Sequence, residues 1–336
     1  MKFGQKILVF AALLAVAGCT SYQPFGPARA ALPLPAEIQK YYEYPAGVPR
    51  AASRLLEQNS SYTVTEVALT EPDETTEPIR LTWFAPLGAK PCPLILISPI
   101  HSSDNFIVDD CARIFAEQGW HAVIVHRRRD HFDPAGPVSQ VEDFLRSAVI
   151  CHRQALDWLL AQPNVDPQRV GTFGISYGAI INAALAAVEP RARFHVIDLA
   201  GGPVAAVMRT TDERGLRRDW DRGRECHELT NKQFYQALQK VVRTDPVRLA
   251  PYVDRDNVLM LIARFDRSVP TPYQLKLWRA LGQPCADFVP LGHYTSILAL
   301  PAHRQNLMNF FEEHFAAGQT VAGREEAQGA RVSSRE

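Results

Sequence analysis

The feature that most constrains this chain is the pentapeptide Gly174-Ile175-Ser176-Tyr177-Gly178, which joins an apolar run at 170–173 to an Ala/Ile-rich run at 179–188. A strand feeding a helix through so short a turn must fold back sharply on itself. The two glycines relieve crowding where the backbone doubles back. The serine at the apex is left exposed at the end of a strand. The helix that follows directs its amide end, with its partial positive charge, at whatever binds there. Strand, turn and helix in this order form the setting of a nucleophile elbow.

The rest of the chain repeats that alternation. Half-buried strands are expected at 62–69 and 79–85 from their period of two, with the acidic, proline-bearing 71–78 as the connecting loop. Continuous apolar runs at 94–97, 121–125, 170–173, 194–199, 258–263 and 286–290 suit strands covered on both faces. Helical spacing marks 109–118, 141–160, 179–188, 271–281 and 302–315. The expected architecture is α/β, a mostly parallel twisted sheet of about eight strands with helices on both faces. One segment, 203–256, separates two strands and is too long for an ordinary connection; it should form a small helical cap over the carboxyl ends of the strands. Its aromatic residues Trp220, Phe234 and Tyr235 suit either an acyl pocket or the cap's own core.

The first residues do not belong to that fold. Lys2 and Lys6 precede an apolar stretch at 7–17 that is too short to span a bilayer. The stretch ends in Val16-Ala17-Gly18-Cys19, which resembles a bacterial lipoprotein signal with Cys19 as the lipidated residue. That resemblance implies an anchored, periplasm-facing protein, and Thr20 in place of aspartate implies the outer membrane more than the inner. The expected organisation is a signal peptide at 1–18, a tether and poorly packed lead-in at 19–54, the main domain at 55–317 and a disordered tail at 318–336. Formal net charge is +0, so whole-molecule attraction to nucleic acid is not expected. Cys92, Cys111, Cys151, Cys226 and Cys285 are widely spaced and suggest neither a disulfide pair nor a zinc site.

A serine hydroxyl needs a base within hydrogen-bond reach and a third group to orient that base. His293 follows the last expected strand in Leu291-Gly292-His293-Tyr294, where the glycine suits a tight loop. Of the nine other histidines, only His303 and His314 lie beyond it, both on the last helix. Asp266 is the best-placed acid, after a buried strand and before a proline-bounded helix start. Asp198, ending an earlier strand, is the runner-up, and Asp287 lies within a strand.

With the order Ser176, Asp266, His293, the chain resembles the α/β-hydrolases. It is similar in particular to the dienelactone hydrolase and acetyl esterase-like branches, through the run from Asp166 to Gly178 and through Asp266-Arg267-Ser268-Val269-Pro270. Ser176-Tyr177-Gly178 also matches the prolyl-oligopeptidase and cocaine-esterase-like branches. The resemblance implies cleavage of carboxylic esters of small molecules with no metal or organic cofactor. Hydrolysis of amides and ligand binding without turnover stay as alternatives. It implies an oxyanion hole from the amide of Tyr177 and one amide of the loop after the third strand. Pro99 has no amide to donate, which leaves Ile100 or His101. Arg127 and Arg128 follow the fourth strand at the same end and are candidates to hold a substrate carboxylate or phosphate. The sequence assigns no oligomeric state.

Overall fold

The computed structural model describes residues 21–23, 26, 29–45, 47–70, 77–100, 106–128 and 133–333, with backbone alone at 21, 23 and 318–333. Cys19, His101 and the signal segment lie outside the described residues. The strands are β1 (Ser21–Gln23), β2 (Arg50–Gln58), β3 (Tyr62–Thr70), β4 (Ile79–Pro86), β5 (Cys92–Ser98), β6 (His121–Val125), β7 (Val165–Ile175), β8 (Phe194–Asp198), β9 (Val258–Ala263) and β10 (Cys285–Val289). They form one sheet in the order β1-β10-β9-β8-β7-β5-β6-β4-β3-β2. From β10 to β6 all neighbours run parallel, and both edges are antiparallel.

The strand chemistry follows position in the sheet. Leu94, Ile95, Leu96 and Ile97 on central β5 are all buried, because helices cover both faces there. β3 alternates, burying Tyr62, Val64, Val67 and Leu69. Helices α2 (Phe106–Glu117) and α10 (Leu300–Ser333) cover one face over an aromatic cluster of Phe115, Trp120, Phe173, Phe194, Phe311 and Phe315. Helices α3 (Gln140–Leu160), α4 (Tyr177–Val188) and α9 (Thr271–Ala280) cover the other. The sheet has ten strands where about eight are expected from the sequence.

Two additional strands fall in or run out of the segment expected as a tether and poorly packed lead-in at 19–54: they are paired into the sheet, although the side chains of β2 stay largely exposed. β1 pairs with β10, β2 pairs with β3, and α1 (Ala36–Tyr41) leads into Tyr42, which is 1% exposed and bonds Thr244 Oγ1 at 2.8 Å. β1 is three residues long and β2 has no apolar alternation, so this segment carries little strand signal in a sequence scan. At the other end, the backbone of α10 stays helical to Ser333, where a disordered tail is expected. Residues 319–333 are rich in Ala, Glu, Gln and Arg, which are strong helix formers.

The insertion at 203–256 is helical. It contains α5 (Val204–Thr210), α6 (Arg214–Cys226), α7 (Asn231–Val241) and the short α8 (Pro246–Leu249). Trp220 and Phe234 meet edge to face, with ring centroids 4.9 Å apart, and both are buried in the cap's own core. Among the described residues no helix is long and apolar enough to cross a membrane, and none of the five described cysteines is in a disulfide.

Candidate active site

The carboxyl ends of β7, β8, β9 and β10 converge on one place, where open parallel sheets bind ligands. At the end of β7 the chain turns through Ser176, which has φ 58° and ψ −117°. A non-glycine residue in such a conformation is strained and persists only where its surroundings over-determine it. They do so here. The Ser176 N–H donates to the Asp198 carbonyl at 2.8 Å. A Cβ on Gly174 would stand 2.6 Å from the Gly178 carbonyl oxygen, and one on Gly178 would collide with the Ser98 carbonyl oxygen. Both flanking positions therefore require glycine for close approach of backbone to backbone.

Ser176 Oγ lies 3.0 Å from His293 Nε2, and His293 Nδ1 lies 2.7 Å from Asp266 Oδ2. Asp266 is 4% exposed and receives further donors: the N–H groups of Ser268 and Val269 at 2.9 Å each on Oδ1, and Gln274 Nε2 at 2.7 Å on Oδ2. With three other donors aimed at it, this carboxyl acts as an acceptor toward His293 too. Nδ1 then carries the proton, and Nε2 is left to accept from the serine hydroxyl. Gln274, at 0% exposed on α9, also donates to the Val269 carbonyl at 2.8 Å and so holds the Asp266 loop in place. Nothing in the sequence marks Gln274 for this, since a glutamine in the first turns of a helix has no pattern of its own.

The other site candidates fall as follows. Tyr177 opens α4, so its amide belongs to the helix's first turn, which has no partner within the helix itself. Ile100 is half-buried and lines the cavity over Ser176. Arg127 lies in the cavity wall with its guanidinium 5.2 Å from the Phe144 ring centroid. Arg128 does not reach the cavity. With Arg127 it lines an adjoining hollow of about 30 Å³ beside His126 and His152.

Asp198, the runner-up acid, and Asp287 serve a different group. His303, at 1% exposed near the start of α10, places Nε2 2.8 Å from Asp198 Oδ2 and Nδ1 2.7 Å from Asp287 Oδ2. Asn306 Nδ2 donates to both Asp287 oxygens at 2.8 and 3.0 Å. Burial works against the charged form of His303, but the two aspartates outweigh it and raise its pKa to about 10. The imidazolium thus clamps β8 and β10, the strands on either side of β9, to α10. Breaking such a pair by removing one partner costs about 3–5 kcal/mol, so His303→Gln should lower the urea midpoint sharply. The pH dependence has a fixed sign. With a folded pKa raised above the unfolded value of 6.5, the contribution is whole below that value and is lost as pH rises toward about 10. Urea titrations between pH 6.5 and 10 should show wild type losing more stability than His303→Gln; equal losses would refute the clamp.

A cavity of about 920 Å³ opens over Ser176 and His293. Its walls come from α3 and α4 (Val141, Leu145, Ile180), from the cap (Val207, Met208, Leu216) and from the opposite side of the sheet (Ile107, Leu300). The cap does cover the carboxyl ends of the strands. It does so through α5 and α6, while the apolar face of α7 turns into the cap's core.

The strand order, the elbow at Ser176 and the acid and histidine on the following loops define an α/β-hydrolase fold. Comparison with known proteins agrees with that architecture. The model of the Prolyl oligopeptidase family matches residues 152–290. Acetyl xylan esterase 1 from Thermoanaerobacterium sp. JW/SL YS485 is similar with a TM-score of 0.64 and 17% identity, over 84% of this chain and 95% of that one. Pyrococcus horikoshii acylaminoacyl peptidase is similar with a TM-score of 0.56 and 15% identity, over 76% of this chain and 42% of that one. In sequence, 110 residues are 27% identical to polyketide transferase ATR5 of Stachybotrys chlorohalonatus (strain IBT 40285), covering 33% of this chain and 36% of that protein. The chain therefore spans little more than a third of the length of that relative.

Proposed function

We propose that this protein is a serine hydrolase that cleaves carboxylic esters through an acyl-enzyme. The observation that carries the reading is the relay from Ser176 Oγ through His293 to Asp266, at 3.0 and 2.7 Å, on the floor of an apolar cavity. Ser176 Oγ attacks the ester carbonyl carbon as its proton passes to His293 Nε2. Asp266 holds the imidazole tautomer and stabilises the imidazolium that forms. The carbonyl oxygen becomes an oxyanion, met by the amide of Tyr177 and by one from the loop after β5, Ile100 or His101. Collapse expels the alcohol, which takes the proton from His293 Nε2. Water then enters and its oxygen bonds the acyl carbon as its proton passes to the same nitrogen; collapse breaks the bond to Ser176 Oγ, which takes that proton back, and the acid is released.

The match to the Prolyl oligopeptidase family over 152–290 favours a second reading, hydrolysis of amides by the same steps. A fluorophosphonate probe followed by a substrate panel tests both. The expected result is covalent labelling at Ser176 and turnover of 4-nitrophenyl esters well above that of aminoacyl anilides. Preferential anilide turnover would replace the first reading with the second. No labelling at Ser176 would refute both and leave a fold that binds without catalysing.

A further inference from the structure

The cavity over Ser176 joins two chemistries. Its body is apolar, walled by Val141, Leu145 and Ile180 of the core and by Val207 and Met208 of the cap. Its volume of about 920 Å³ lies near the top of the range of about 300–1,000 Å³ that encloses whole drug-sized ligands. An acetyl group would occupy only a small part of it.

At the wall stand three guanidinium groups. Arg127 follows β6, and Arg218 and Arg222 sit one turn apart on α6, which puts them on one helix face. Among the described residues none is tightly matched by acid. Arg218 Nε is 3.8 Å from Asp219 Oδ1, and Arg222 Nη2 is 4.0 Å from Asp133 Oδ1. Glu213 also lines the cavity, but its Oε2 accepts the Leu216 N–H at 2.8 Å and caps α6. Three acids line the cavity with the three arginines, and two of them are engaged elsewhere, Glu213 in capping α6 and Asp198 with His303. The Arg218 and Arg222 side chains are 80% and 62% exposed, so they stand at the mouth and stay hydrated until a ligand arrives. Guanidinium forks of this kind suit the paired oxygens of carboxylates, phosphates and sulfates.

We infer that the site takes an amphipathic, anionic ester, whose acyl group fills the apolar cavity and carries at its far end an acidic group held by Arg127, Arg218 and Arg222. The inference rests on the hydrolase reading above for the reaction, and on the cavity wall alone for the ligand. The cap helix α6 is then a specificity element as well as a cover. It supplies Leu216 to the apolar body and two arginines to the anion.

The test compares two esters with ten-carbon acyl chains, 4-nitrophenyl decanoate and the mono-4-nitrophenyl ester of decanedioic acid, which carries a free terminal carboxylate. Exposed ion pairs are worth little singly, and two or three acting together should give about a tenfold preference in kcat/KM for the anionic ester, carried mainly by KM. The double variant R218A/R222A should reduce that preference to within about twofold, through a rise in KM for the anionic ester. R218K/R222K should keep part of it, and added salt should erode it in the wild type. Binding of both esters to Ser176→Ala by calorimetry repeats the comparison without chemistry. Calorimetric preference with no turnover by the wild type would sink the hydrolase reading and uphold the ligand class. Turnover of both esters with no charge preference, or with a preference that survives R218A/R222A, would overturn the ligand class and leave the hydrolase reading standing.

Discussion

Replacing Ser176 with alanine is expected to abolish ester hydrolysis while leaving the fold intact. The hydroxyl is the atom placed 3.0 Å from His293 Nε2, and Asp266 has no route to the substrate except through that histidine. Loss of a triad nucleophile typically costs about 10³-fold or more in kcat, with a residue left from binding and oxyanion stabilisation. Stability should hardly move, for two reasons. The elbow is held by backbone contacts, from Ser176 N–H to Asp198 and from Gly178 against Ser98, which the substitution does not touch. Alanine also tolerates φ 58° no worse than serine does, since the strain comes from Cβ and both residues have one. The checks are kcat on a short-chain 4-nitrophenyl ester and the thermal midpoint. Activity retained within tenfold would remove Ser176 from the mechanism. A collapsed midpoint would mean that the side chain also holds the elbow together.

How far this site can be read from sequence depends on the range of the interaction concerned. The elbow is legible because strand, turn and helix are contiguous, so a few residues carry the whole pattern. Asp266 and His293 are legible as candidates because each follows an apolar run with a turn signal, and the structure does bring them to Ser176 from 90 and 117 positions away in the numbering. The edge strands β1 and β2 are not legible, since their pairing partners β10 and β3 supply the reason they are strands at all. Nor is the His303 clamp, which joins residues 105 and 16 positions apart and looks in sequence like three isolated polar residues in apolar surroundings. Cavity walls are the hardest case. A helical cap is legible as a segment, but only the packing of Phe234 on Trp220 shows that the apolar face of α7 turns away from the site while α6 supplies its wall.

Asp198 ends β8 and Asp266 follows neighbouring β9, both at the carboxyl ends of the parallel strands, and their asparagine variants should fail in different ways. Asp266→Asn keeps the size of the side chain but presents an amide where His293 Nδ1–H needs an acceptor. If the amide nitrogen faces the ring, the imidazole shifts to the tautomer with its proton on Nε2, which can no longer take one from Ser176. A change of this kind in a triad costs about 10⁴-fold in kcat. Because the Ser268 and Val269 amides and Gln274 also aim donors at this carboxyl, some loss of stability should accompany the loss of rate. Asp198→Asn acts elsewhere. Its side chain reaches His303 and makes no bond to His293, while its contact with Ser176 runs through the main-chain carbonyl, which the substitution leaves in place. It should therefore weaken the clamp and lower the unfolding midpoint with only a modest effect on kcat. Measuring kcat and urea midpoint for both variants separates the roles. If Asp198→Asn loses more turnover than Asp266→Asn at a temperature where both are folded, the acid of the relay is misassigned.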